Sequence, residues 1–471
     1  MKRRTFCNSA VSALVASLPG MRLLAQDLKD LAAGFKGQVL APGHAGYDDA
    51  RKIWNGAFDK KPGLIARCAD ATDVTRAVNF ARTHRMLVAV RSGGHSLPGH
   101  SVCDGGLMID LSSMRNIHVD VRARTARIGP GVLLGELDRE TQRFNLATPL
   151  GTVSKTGAAG LTLGGGFGRL ARRFGLACDN LIAADVITAD GRSVRATPKD
   201  NPDLLWGLRG GGGNFGVVTS FEYQLHSVEP EMYGGALLFP YKNPRALLRS
   251  YADFIAGASD NLFVMLDIVP TPDGQRIVAF EVCHSGSRAE AEKDIATLRR
   301  IGTPAGDALR PAMYVELQKG IDKDYPVGRA YYMKSGFIRD ITPPLIDSMV
   351  DYLEAAPFAG GIASILQHGG AIARVKPDAT AYWHREANHS ALFVGVWDDP
   401  KLAERAKQWT RDGWSKIEPL TAGFYVNLSA DDESQRRVRA TYGDNYTRLA
   451  ALKKQYDPTN LFRLNANLEP G

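Results

Sequence analysis

The chain has 471 residues, of which 44% are hydrophobic, 23% charged and 8% aromatic. That is length for about three domain-sized units with ample core, and the composition excludes bulk disorder. Half of the formal charge of +8 comes from Lys2, Arg3, Arg4 and Arg22. What remains is too dilute for a nucleic-acid surface, and no basic run reads as a binding tail.

Residues 1–26 read as an export signal. A charged start (Lys2-Arg3-Arg4-Thr5-Phe6) precedes a modest apolar stretch, Ala10 to Leu18, and a cleavage site near Leu24-Ala25-Gln26. The apolar run is too short for a membrane span. The paired arginines resemble the twin-arginine type, used by proteins that fold and take up cofactor before export. The expected partner is that export machinery, and the expected location is periplasmic or secreted. No later stretch approaches 18 consecutive apolar residues, so the mature chain is expected to have no membrane span. Cys68, Cys103, Cys178 and Cys283 lie far apart without metal-ligand spacing. Buried thiols are expected, with a disulfide left open.

From about residue 40 to 225 the chain is rich in glycine and in short strands. Thr72 predicts a helix cap, with Val74, Ala77, Val78 and Ala81 on one helical face to about His84. Leu87–Val90, Gly106–Leu111 and Ala126–Ile128 read as strands. Gly129-Pro130-Gly131 reads as a turn before a helix from Val132 to Asn145. Asp190-Gly191 between Asp185–Thr188 and Ser193–Arg195 predicts a hairpin. In the middle region, strands at Leu262–Val269, Ile277–Cys283, Ala363–Gln367 and Ala391–Trp397 alternate with helices at Arg288–Arg300, Pro343–Ala355 and Lys401–Trp414. These predict an antiparallel sheet with helices on one face. The last 45 residues are polar and rich in Tyr and Asn. The whole is an α+β pattern rather than a doubly wound sheet.

Three glycine clusters stand out: Ser92–Ser96, Gly164–Gly168 and Gly210–Gly216. Glycine permits positive φ and lets backbone N–H groups approach an anion, so several such loops suggest a phosphate or pyrophosphate cradle. Gly211-x-Gly213-x-x-Gly216 matches the dinucleotide string in the wrong setting. A helical stretch precedes it and a β-branched strand follows, the reverse of what that fingerprint needs. His95, His100 and Cys103 are close in sequence, but no carboxylate is spaced to complete a metal site, and none is expected.

Taken together these residues resemble the vanillyl-alcohol-oxidase/berberine-bridge-enzyme superfamily. Arg91-Ser92-Gly93-Gly94-His95-Ser96, with Gly99 and Ser101, is similar to its flavin-attachment loop. Gly151 to Gly168 is similar to its second FAD loop, and Asp203 to Val218 to its third. Tyr425-Val426-Asn427, Tyr442 to Tyr446, Tyr456 to Asn460 and Asn465-Ala466-Asn467-Leu468 are similar to its C-terminal segment. The resemblance implies a PCMH-type FAD-binding domain of two α+β subdomains plus a central substrate domain. The corresponding boundaries are 40–228 for the FAD domain, 229–419 for the substrate domain and 420–471 for a segment returning to the FAD domain.

The resemblance also implies FAD carried on His95 through an 8α-N-histidyl bond. Expected around it are Arg91, Ser92, Gly93, Gly94, Ser96, Gly99 and His100 from the first loop. The second loop supplies Val153, Thr156, Gly157, Gly160, Leu161, Gly164, Gly165, Gly166 and Gly168. Gly216, Val217 and Val218 come from the third loop, and Asn465 and Asn467 from the C-terminal segment. Members with a second covalent bond use a cysteine where this chain has Val153, so one covalent bond is expected, as in the monocovalent bacterial members.

The implied activity is transfer of hydride from a C–H beside oxygen or nitrogen of a small organic molecule to flavin N5. Electrons then pass to O2, giving hydrogen peroxide. Tyr425 matches the family's base. Gln367 is the expected catalytic partner from the central sheet, with His368, Tyr332 and Lys334 as further candidates. The alternatives are a flavin dehydrogenase with a quinone or protein acceptor, and a non-catalytic periplasmic nucleotide- or sugar-binding protein.

Overall fold

The computed structural model describes residues 25–471, so all but the last two residues of the expected export signal, with Cys7, lie outside the described residues. The expected mixed α+β architecture is what the chain adopts, as three principal sheets.

The first sheet has four short strands, in the order Gln38–Leu40, Leu64–Arg67, Leu107–Asp110, Val88–Arg91. Leu107–Asp110 pairs in parallel with both Leu64–Arg67 and Val88–Arg91. The helix Ala71–Thr83 makes one crossover, burying Val74, Ala77, Val78 and Ala81 as the periodicity predicts. Its cap is Asp70 rather than Thr72: the Asp70 carboxylate accepts the N–H groups of Thr72 and Asp73. A carboxylate at that position also meets the positive helix end.

The second sheet is antiparallel, in the order Ile117–Asp120, Thr125–Ile128, Val217–Gln224, Leu181–Ile187, Ser193–Ala196. The Asp190-Gly191 hairpin joins its last two strands. The helix expected over Val132–Asn145 is shorter, Leu134–Gln142, and ends before Asn145, which takes a left-handed φ of 54°.

The third sheet has eight strands, all pairs antiparallel, and spans residues 231–397. Its strands include Glu231–Pro240, Leu262–Pro270, Arg276–His284, Ala330–Ile338, Gly361–Gln367 and His389–Trp397. Helices Pro244–Ile255, Arg288–Arg299, Pro343–Glu354 and Ala403–Ile417 cover one face. The other face, with Phe263, Met265, Leu366, Val394 and Tyr331, packs toward the first two sheets. Four strands of this sheet escape the sequence pattern, two of them short, Gly306–Asp307 and Arg310–Met313, and two long. Glu231–Pro240 is broken by Gly234-Gly235, with Gly235 at φ 134°, and Ala330–Ile338 by Lys334-Ser335.

The polar C-terminal stretch forms two helices, Gln435–Tyr442 and Asn445–Tyr456. Val438, Tyr442, Leu449 and Leu452 pack into the core that holds Leu204, Leu205 and Phe215. Lys453, fully buried, donates to Asp457 (2.7 Å), to the Asn214 carbonyl (3.0 Å) and to the Phe462 carbonyl (2.9 Å). The chain end is thereby tied to the third glycine cluster. The four described cysteines are free and buried. No helix of the described residues is long and apolar enough to cross a membrane.

Candidate active site

A cavity of about 350 Å³ opens where the two smaller sheets, the inner face of the large sheet and the C-terminal segment meet. Nine of the residues facing it are glycines, and none is Lys, Arg, Asp or Glu. An anionic ligand there would be held by backbone N–H groups rather than by side-chain charge.

Most of the expected cofactor residues converge on it. Ser92, Gly93, Gly94, His95, Ser96 and His100 line it from the first loop, and Val153, Thr156, Gly157, Gly160, Leu161 and Gly164 from the second. Gly216, Val217, Val218 and Asn465 complete this set. The first two loops touch backbone to backbone: a Cβ on Gly93 would lie 2.6 Å from both Cα and N of Gly157. Only glycine allows that approach.

Others stand behind the lining. Arg91 donates to the Ala50 carbonyl and lies 4.0 Å from the buried Asp110 carboxylate. Gly99, at φ 70°, rests against the Phe58 ring. Gly168 is wedged against the carbonyls of Leu150 and Gly151. Gly165 faces Tyr382 and Tyr425, and Gly166 donates its N–H to Tyr425. Asn467 is outside the lining, its Oδ1 buried without a partner.

His95 faces the cavity with its Nε2 buried and unpartnered. Burial pushes its imidazole down to about 4, so the ring is neutral at physiological pH. Trp54 stacks on it at 4.2 Å between centroids and 15° between planes. Ser101 Oγ and Asn465 Oδ1 are likewise buried without partners. Orphaned polar atoms around a glycine cradle free of charged side chains fit FAD, whose pyrophosphate needs N–H donors and whose ring needs an apolar slot. Val153 lines the cavity and no cysteine does.

Tyr425 lines the same cavity. Its hydroxyl oxygen accepts three hydrogen bonds: from Gly166 N (3.0 Å), Phe167 N (3.2 Å) and Asn427 Nδ2 (2.9 Å). Burial pushes the phenol up to about 12, against the downward pull of those donors. Asn427 also donates to the Leu161 carbonyl (2.9 Å), locking the tyrosine to the second loop.

The central-sheet candidates lie elsewhere. Leu366 lines the cavity, and its neighbour Gln367 alternates to the opposite face, where its Oε1 accepts the Val264 N–H at 2.9 Å. His368 is buried against Phe167, 2.8 Å from Ser390 Oγ, and pushed down to about 3 by burial. Tyr332 and Lys334 point away from the flavin side and bind Asp432. Sequence reasoning missed Trp54, Asn427 and Leu366. Only Asn427 had a local sign, its place in Tyr425-Val426-Asn427.

Comparison with known proteins agrees with this geometry. Residues 62–197 match the family model described as FAD binding domain, and residues 424–469 the model described as berberine and berberine like. An FAD-linked oxidoreductase of Dictyostelium discoideum is 33% identical over 94% of this chain and 97% of its own. The (R)-6-hydroxynicotine oxidase of Paenarthrobacter nicotinovorans is 33% identical over 92% of this chain and 97% of its own. The crystal structure of 6-hydroxy-D-nicotine oxidase from Arthrobacter nicotinovorans superposes with a TM-score of 0.85 at 31% identity, covering 93% of this chain and 99% of that one. The chain belongs to the berberine-bridge-like family of FAD-linked oxidoreductases.

Proposed function

We propose that this oxidoreductase is an exported oxidase carrying FAD on a single covalent bond to His95. It removes hydride from a C–H beside nitrogen or oxygen of a small organic substrate, with dioxygen as acceptor. The observation that carries this reading is the Tyr425 hydroxyl, cradled by three donors and opening on the cavity that His95 also faces.

Bound FAD supplies the hydride acceptor and the route for electrons to dioxygen. Backbone N–H groups of the glycine loops would hold its pyrophosphate. His95 Nε2, neutral and unpartnered, would hold its ring end. Leu366 on the sheet side and Val153 on the loop side give the cavity apolar walls. The three donors fill the acceptor capacity of the Tyr425 oxygen and hold its hydroxyl at the cavity, where substrate would lie. Because burial keeps that phenol protonated at neutral pH, an amine substrate is favoured over an alcohol. A neutral amine yields hydride without a strong base, whereas an alcohol needs one. The relative named as a 6-hydroxynicotine oxidase supports a nitrogen heterocycle as the first compound to try. Residues 1–26 support export by the twin-arginine route, testable by sequencing the N-terminus of the mature protein.

The test is anaerobic reduction of the flavin by substrate, followed by air. Tyr425→Phe is expected to slow reduction by about a hundredfold while changing substrate binding only a few fold. Unchanged reduction would remove Tyr425 from the chemistry. Reduced protein that air does not reoxidise would make it a dehydrogenase.

A further inference from the structure

We propose that Trp54 is the positioning residue for covalent attachment of the flavin, orienting the His95 imidazole for bond formation. This rests on the reading of His95 as the tether.

Trp54 and Asn55 form a two-residue clamp around the His95 loop. The Trp54 N–H donates to the Gly94 carbonyl (2.9 Å), immediately before His95. Asn55 Nδ2 donates to the Leu97 carbonyl (2.7 Å), two residues after it. On their other side both residues grip the strand Ala330–Ile338 of the large sheet and the turn before it. The Trp54 indole N–H donates to the Tyr325 carbonyl (3.1 Å), and the Trp54 carbonyl accepts from Gly328 N (2.9 Å). Asn55 bonds both the N–H (3.0 Å) and the carbonyl (2.9 Å) of Tyr331. Asn55 is fully buried and Trp54 nearly so.

The indole plane is then set from two sides, the His95 loop and the edge of the large sheet, and it sets the imidazole. Trp54 stacks on His95 at 4.2 Å and 15°, and on Tyr331 at 4.5 Å and 14°. Stacking of this kind fixes ring orientation. His95 Nε2 has no hydrogen-bond partner in the protein to orient it. The ring also meets its own backbone, and the stack fixes the plane in which Nε2 faces the cavity.

Attachment replaces the imidazole N–H and one C–H of the flavin 8α-methyl by a single N–C bond. The two protons and two electrons released go to dioxygen as hydrogen peroxide, so atoms and electrons balance. Such a step is sensitive to the angle between ring plane and reacting carbon, the geometry a stacked indole controls.

The experiment follows attachment in apoprotein given FAD, reading the flavin retained by acid-denatured protein over time and, separately, total bound flavin before denaturation. Trp54→Phe, which keeps an aromatic face, is expected to attach at near the native rate. Trp54→Leu is expected to bind FAD but attach it at least about tenfold more slowly. Trp54→Met, unbranched and flexible, is read in the same way should the leucine variant not fold. Leucine or methionine variants that attach as fast as the native chain would overturn the proposal. So would a phenylalanine variant as slow as leucine, since the contact would then be merely structural. His95→Ala is the control for the tether. If it still retains flavin after acid, the tether lies elsewhere and the role of Trp54 falls with it.

Discussion

The two walls of the cavity are made differently. The flavin side is a backbone surface. Its loops approach so closely that Gly93 and Gly157 have no room for a Cβ, and it presents glycine where other proteins present charge. The facing wall is an ordinary antiparallel sheet that presents side chains, among them Leu366. Where its loops touch, as at Gly93 and Gly157, a wall made of backbone tolerates no substitution, although Gly160 and Gly213 have open space for a Cβ. A wall made of side chains can be rewritten one residue at a time without disturbing the cofactor, which is how one fold serves many substrates.

The largest expected effect is on the backbone wall. A Cβ at Gly164 would run into the Asn427 amide, the group that donates to Tyr425. Gly164→Val should therefore abolish flavin loading, measured as the flavin-to-protein ratio. Normal loading would show that the loop has slack.

Next is the joint between the walls. Gln318 bridges them by donating to Asp138 Oδ2 and to the Gly151 carbonyl, each at 3.1 Å. Burial pushes the Asp138 carboxyl up to about 7. A raised native value means stability present at low pH and lost as pH rises toward 7, because the unfolded carboxyl ionises first. Asparagine keeps the accepting oxygen and does not titrate. Asp138→Asn should thus gain on the native protein by on the order of 2 kcal/mol between about pH 5 and pH 8, read from denaturant midpoints. A gain independent of pH would contradict the assignment.

On the sheet wall, Leu366→Ala should leave flavin loading intact while shifting kcat/KM between two substrates by about tenfold. Loss of flavin instead would erase the contrast between the walls. The smallest effect is expected at Gln367, which faces away from the cavity. Gln367→Leu should cost about 1 kcal/mol of stability through the unpaired Val264 N–H, with flavin reduction by substrate within about twofold of native.

The same contrast decides what was legible in the chain. Glycine strings announce a backbone wall because the conformational demand is local, and the three clusters were readable on that ground, whereas the roles of His95 and Tyr425 came only with the family resemblance. The sheet wall was not, because its facing depends on strand parity. Ala363-Ser364-Ile365-Leu366-Gln367 is buried on both faces, so nothing in it says that Leu366 rather than Gln367 meets the cavity. Tyr332 and Lys334 were misjudged for the same reason, one residue out of phase with Tyr331 and Met333. Trp54 was invisible because its partners lie about 40 residues away at Gly94 and His95 and some 270 away at Tyr325 and Tyr331. The C-terminal helices escaped because their polar composition hides a few buried anchors, Val438, Tyr442, Leu449 and Leu452.

The central claim is that a neutral, unpartnered His95 at the edge of a glycine cradle carries the cofactor. It is tested most directly by precipitating native protein and His95→Ala with acid and asking where the yellow colour goes. The account predicts colour in the pellet for the native chain and only in the supernatant for the variant. Colour released from the native protein, or retained by the variant, would contradict it.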